Sequence, residues 1–231
     1  MLDLPCNPAT SVELPIDNSL YESKFDAPND CDWFRVTLVS GKNYHFFYKI
    51  AAEDGNVISY LSLHDAVGTE LTSSGQFAGF TLAGFSYTPA SAGTYYLGLK
   101  GEKPATYQLG AGPDCADDKP TRYALKTPGK PVTGSLQSYF DYDVFRVRLE
   151  AGKTYTFDLL SKQPYEFGPF YLFGRRKTRA LGTGVTPPPG YAQARRISHV
   201  TAPETGAYFL QFGDATLPDG VLNYELSYHA E

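Results

Sequence analysis

The chain repeats itself. Residues 32–46, DWFRVTLVSGKNYHF, lie over residues 143–157, DVFRVRLEAGKTYTF, at an offset of 111, and ten of the fifteen positions are identical or nearly so. Three further blocks follow in the same order. YLSL and GTEL at 60–63 and 68–71 lie over YLF and TRAL at 171–173 and 178–181. AGTYYL at 92–97 lies over TGAYFL at 205–210, and TYQL at 106–109 over NYEL at 223–226. A period of about 110 residues is the size of a common domain, so the chain divides into tandem domains, 1–112 and 113–231. The joint falls in the loop-forming run Gly110, Ala111, Gly112, Pro113 and Asp114.

Each copy reads as strands. Phe34, Val36 and Leu38 alternate with Arg35 and Thr37, as Phe145, Val147 and Leu149 do with Arg146 and Arg148, the period of two of a strand with one buried face. The glycine turns at 40–42 and 151–153 predict a hairpin in each copy, returning over 44–48 and 155–159. Further strands at 59–64, 79–87, 94–99 and 105–109 bring each domain to seven or eight, the spacing of a β-sandwich. There are 18 Tyr and 15 Phe against one Met, 22 Gly and 17 Pro break the pattern every few residues, and no amphipathic helix emerges. The fold class is all-β: two antiparallel sandwiches, jelly-roll-like or Ig-like.

These blocks resemble the bacterial pre-peptidase C-terminal domain family. The resemblance rests on the acidic residue before the strand at 32–36 and again at 143–147, and on the GK-x-Y turns at 41–44 and 152–155. It rests also on the strand and turn at 63–71, on 89–97 and 203–210, and on the closing Tyr-x-Leu at 107–109 and 224–226. In the second copy Val144 replaces the Trp, and Gly174, Arg175, Arg176 and Lys177 replace the acidic turn at His64, Asp65 and Ala66. The resemblance implies a non-catalytic accessory domain of secreted or surface bacterial proteins, some of whose relatives bind calcium, and collagenase-associated domains of similar fold that bind collagen.

Charge and motif content narrow the function. A net charge of −5 excludes a general binder of nucleic acid, and no run approaches the roughly 18 apolar residues of a membrane span. Residues 1–5 lack a secretory signal pattern, so export implies a signal outside this sequence and a larger parent chain or assembly. His45, His64, His199 and His229 fall singly, and no G-x-S-x-G elbow occurs, so an enzyme is not expected.

Four candidate features remain. Asp30 and Asp32, repeated as Asp141 and Asp143, could begin a calcium site at each strand entrance, or could bond locally to turn N–H groups, the favoured alternative. Arg175, Arg176, Lys177 and Arg179, with Arg195 and Arg196, could converge at one end of the second sandwich beside the stiff 186–191 loop that carries Tyr191, forming a surface for a protein or polysaccharide ligand. Tyr139, Tyr165, Tyr191 and Tyr228 are the tyrosines expected at the surface for stacking. Cys6 and Cys31 both lack counterparts in the second copy, which favours a bridge between them and leaves Cys115 over; a bridge from either to Cys115 stays open.

The expected function is an extracellular binding or accessory module, with a spacer that has no ligand of its own as the alternative.

Overall fold

The computed structural model describes residues 4–51, 54, 56–78, 83–114, 123–138, 141–174, 179–213 and 221–231. The chain falls into two compact units, Met1–Asp114 and Cys115–Glu231. All regular structure of any length among the described residues is strand, and no helix is long and apolar enough to cross a membrane.

The first unit holds β1 (Leu20–Phe25), β2 (Cys31–Leu38), β3 (Tyr44–Ile50), β4 (Ile58–His64), β5 (Glu70–Ala78), β6 (Ala83–Tyr87), β7 (Gly93–Gly101) and β8 (Ala105–Pro113). They form two four-stranded sheets, β1-β8-β3-β6 and β2-β7-β4-β5. The second unit holds β9 (Ala124–Leu125), β10 (Val132–Leu136), β11 (Tyr142–Leu149), β12 (Thr154–Ser161), β13 (Phe170–Phe173), β14 (Arg179–Leu181), β15 (Thr183–Gly184), β16 (Gln193–Thr201), β17 (Gly206–Gly213) and β18 (Leu222–Ala230). Its sheets are β10-β18-β12-β16-β15 and β14-β13-β17-β11-β9, the same strand order with short additions at the edges. Apart from the short parallel pairing of β9 with β11, the named strands pair antiparallel, as expected for an all-β sandwich.

The expected hairpins are not formed. Strand β2 pairs with β7 and β3 pairs with β6 and β8, so the turn between β2 and β3 crosses from one sheet to the other, and β11 and β12 are divided in the same way. Alternation and a glycine turn mark two strands and a reversal, but both are equally satisfied when the strands lie in facing layers. Here each supplies its own wall of the core: Phe34, Val36 and Leu38 from one side, Tyr44, Phe46 and Tyr48 from the other, all buried. The arch needs donors satisfied without a ladder partner. The Val39 N–H donates to the Tyr44 hydroxyl at 3.0 Å and the Gly41 N–H to the Pro89 carbonyl at 2.8 Å; Glu150 to Tyr155 at 3.0 Å and Gly152 to Ala202 at 2.8 Å repeat the arrangement. The glycine sits at φ 68 and 77, which explains the residue type in both turns.

Each core contains the same edge-to-face aromatic pair. Phe34 meets Tyr107 edge-on at 6.4 Å and 89°, and Phe145 meets Tyr224 at 6.3 Å and 89°. Edge-to-face contact of this kind adds to area burial.

In the first unit, residues 12–14 run parallel beside β2, with the Arg35 N–H on the Val12 carbonyl and the Leu14 N–H on the Arg35 carbonyl. Strand β9 holds the same place beside β11, so the repeat extends ahead of the blocks legible in sequence. Cys6 is bonded to Cys31, their Cα atoms 5.2 Å apart, which ties this leading segment to the start of β2. Cys115 lies outside the described residues.

On β3, His45 is fully buried, 2.8 Å from the Ser86 hydroxyl and 3.9 Å from Asp114. Burial pushes its pKa from 6.5 down to about 3, so the folded chain holds it neutral. The unfolded chain takes up that proton near its ordinary pKa. Its contribution is therefore complete above about pH 6.5 and is lost as acid carries the solution from there toward 3. We expect urea midpoints to fall over this window, and His45→Gln to flatten the fall relative to its own value at pH 7.5.

Candidate functional site

The acidic pairs at the strand entrances resolve into two jobs. Asp30 and Asp141 close the same turn in each unit: Asp30 Oδ2 accepts the Asp26 N–H at 2.6 Å and Asp141 Oδ2 the Gln137 N–H at 2.6 Å. Asp32 and Asp143 are in phase with the apolar residues of β2 and β11 and point into the core. Each accepts the hydroxyl of the closing tyrosine, Asp32 that of Tyr107 at 2.5 Å and Asp143 that of Tyr224. Burial, followed by the bond to Asp32, pushes the Tyr107 phenol far above its ordinary value, so it stays a donor to the carboxylate.

Calcium at these four residues is a proposal that must compete with those hydrogen bonds. A midpoint higher by several degrees in excess calcium than in chelator supports it, and equal midpoints remove it.

Of the basic residues expected to converge, the three that are described, Arg179, Arg195 and Arg196, have separate partners. Arg179 on β14 stacks over the Tyr171 ring at 4.4 Å. Arg195 donates to the Phe167 carbonyl at 2.9 Å, and Arg196, next along β16, pairs with Asp158 at 2.6 Å. Arg175, Arg176 and Lys177 lie outside the described residues, as does Tyr139. Tyr165 is half-buried, and Tyr228 is not a surface residue: it faces inward from β18 against Phe157 and Tyr155, because it is in phase with Leu222, Tyr224 and Leu226.

Tyr191 lines a groove. Outward positions of β10, β18 and the end of β12 build its floor, and Tyr191, at the end of the 186–191 loop, lines it as well, around a volume of about 470 Å³. Thr133 and Ser135 come from β10, Asn223 and Glu225 from β18, and Lys162 and Gln163 from the chain leaving β12. Their placement follows from the strand period: Leu222, Tyr224 and Leu226 take the inward positions of β18 and leave Asn223 and Glu225 outside.

The frame is held by short bonds. Gln163 donates to the Val221 carbonyl at 2.8 Å and accepts the Asn223 N–H at 2.6 Å, while the Ser161 hydroxyl donates to the Asn223 carbonyl at 2.8 Å. The Ala192 N–H donates to the Ser161 carbonyl at 2.8 Å, fastening the loop beyond Tyr191. The Tyr191 hydroxyl donates to Glu225 Oε2 at 2.8 Å, which raises the phenol pKa, and the Lys162 ammonium lies 3.8 Å from Glu225 Oε1 and 5.7 Å from the centre of the Tyr191 ring. The volume is in the range of small-ligand pockets, and the lining combines one aromatic face with amide, hydroxyl, ammonium and carboxylate groups. Apart from Tyr191, sequence reading missed these residues. They come from three separate segments and share no local spacing.

Ser–His contacts occur in the first unit at Ser62–His64 and Ser86–His45, each 2.8 Å. Ser62 directs its proton to the Gly98 carbonyl and Ser86 to Asp114, and both imidazoles are buried, so neither pair has the arrangement of nucleophile and base.

No family model and no curated protein matches this sequence. Solved structures do. The pre-peptidase C-terminal domain of collagenase from Bacillus anthracis is similar at 17% identity and a TM-score of 0.33, over 44% of this chain and 94% of that one. It is a domain of the family that the sequence motifs resemble. The tandem N-terminal CBM22-1-CBM22-2 domains of Xyn10C from Paenibacillus barcinonensis are similar at 10% identity and a TM-score of 0.27, over 94% and 99% of the two chains. The PBSX exported protein XepA is similar at 9% identity and a TM-score of 0.29, over 99% and 98%. Scores of this size carry no argument about a ligand, and the sandwich described above stands on its own strand order.

Proposed function

We propose that the chain is a non-catalytic binding module of an extracellular protein, and that its protein or polysaccharide ligand seats in the groove of the second unit. The observation that carries this reading is the groove: an aromatic ring, a carboxylate, an ammonium and side-chain amides converge there on a rigid sheet. The Cys6–Cys31 bond fits an oxidising, extracellular compartment. The spacer reading draws on the separate engagement of Arg179, Arg195 and Arg196, and it predicts no retention on any surface.

The test is retention of the pure chain on a panel of immobilised polysaccharides and fibrous extracellular proteins, beside Tyr191→Ala, Asn223→Ala and Thr133→Trp. Thr133 is exposed on the groove wall, so the tryptophan fills the space without entering the core. We expect at least one surface to retain the wild type, with affinity roughly tenfold lower in Tyr191→Ala, in keeping with about 1 to 2 kcal/mol for an aromatic anchor. Retention on nothing, or equal retention of all four proteins, overturns the reading.

A further inference from the structure

The groove already holds a cation, and it belongs to the chain. Glu225 uses both carboxylate oxygens: Oε2 accepts the Tyr191 hydroxyl and Oε1 faces the Lys162 ammonium, which lies over the Tyr191 ring. A ring face held beside a carboxylate is an ammonium site, attractive through the ring quadrupole and through charge. Lys162 is a weak occupant. Its side chain is 70% exposed on a flexible four-carbon stem, and an exposed pair at 3.8 Å is worth little, so exchange for another cation costs little. The wall of the groove favours a peptide as the source of that cation. Among the described residues β10 pairs with β18 alone and is the edge of its sheet, and it supplies Thr133, Gly134 and Ser135 to the lining. An edge strand accepts an extended peptide through main-chain hydrogen bonds, and every second side chain of that peptide turns toward the same face.

We infer that the groove takes a lysine side chain from an extended segment of a protein partner, the incoming ammonium replacing that of Lys162 on Tyr191 and Glu225. This rests on the groove being the ligand site and adds the chemistry it selects. Lys162 then acts as a tethered competitor, so its removal strengthens binding although it lines the site.

Fluorescence anisotropy decides this with a labelled heptapeptide of alternating Ser and Lys, its Nε-acetylated twin, and a chitosan oligomer as competitor, at about 0.15 M salt to screen diffuse attraction. The lysine peptide is expected to bind at least tenfold tighter than its twin. Lys162→Met should tighten it roughly three- to tenfold, and Glu225→Gln and Tyr191→Leu should each weaken it roughly five- to tenfold. Lys153→Met removes the same charge from a turn where Lys153 pairs with Glu150, and should leave affinity unchanged. Equal binding of the twins, or no response to Lys162→Met and Glu225→Gln, overturns the inference, and chitosan competing as well as the peptide assigns the site to an amino sugar instead. If the twins bind equally and both are lost in Thr133→Trp, the groove stands as the ligand site and the lysine assignment alone falls. If Thr133→Trp changes nothing, both fall.

Discussion

Tyr107→Phe will lower the stability of the first unit by about 3 kcal/mol, on the order of 15 °C in Tm for a domain of this size. The substitution deletes one oxygen and leaves the ring, so Phe25 and Phe34 keep their neighbour. What is lost is the hydroxyl that donates to Asp32, a carboxylate with 1% of its surface exposed. Removing a donor from a buried ion costs more than the net worth of the bond, because the charge keeps its desolvation penalty and loses a compensating partner. Replacing both members, Asp32→Leu with Tyr107→Phe, should therefore recover much of the loss, and the double-mutant cycle should report a coupling of at least 2 kcal/mol. Trp33 is the chain's one tryptophan and is buried in this unit, so its emission follows the transition. Tyr224→Phe should act alike on the second unit, read by near-ultraviolet circular dichroism, while the Trp33 signal keeps its midpoint. Additivity of the single variants in the cycle would refute the pairing.

This pair also shows where sequence reading stopped. The acidic repeat and the closing Tyr-x-Leu repeat are both plain in the sequence, yet nothing local joins residue 32 to 107 or 143 to 224. Phase held the missing signal. Asp32 keeps step with Phe34, Val36 and Leu38, so it had to face the core, and a carboxylate there needs a buried donor. The all-β class was legible because alternation is a one-strand property. Pairing was not, since an arch and a hairpin carry the same alternation and the same Gly41 turn, and only the neighbours β7 and β8 separate them. The groove was least legible: β10 and β18 contribute three residues each, β12 and the chain leaving it four, and they meet through register rather than spacing. Tyr191 was picked out because its loop has a distinct composition, and its partners Lys162 and Glu225 had no such mark.

Loss of the Cys6–Cys31 bond should be the second large effect, about 3 kcal/mol by loop-closure entropy for a separation of 25 residues. It should have a signature that a loss spread over the whole unit would lack. The bond pins residues 6–10 near the outer surface of β2. A Cβ added at Gly68 would lie 3.3 Å from Pro8 and 3.7 Å from the Trp33 ring, so the leading segment, the β4–β5 turn and the tryptophan meet at one place. Trp33 also stacks on His64 at 4.1 Å and is 7% exposed. With Cys6→Ser and Cys31→Ser together, which keeps Cys115 from forming a substitute bridge, the segment loses its anchor while residues 12–14 retain their backbone bonds to Arg35. Trp33 emission should therefore shift to the red, and the indole should become open to acrylamide quenching, at temperatures well below the melting transition. The far-ultraviolet spectrum should be unchanged, because the strands do not depend on residues 6–10. A double variant that melts earlier with its tryptophan still shielded would place the whole effect in the unfolded chain and refute the covering role of the leading segment.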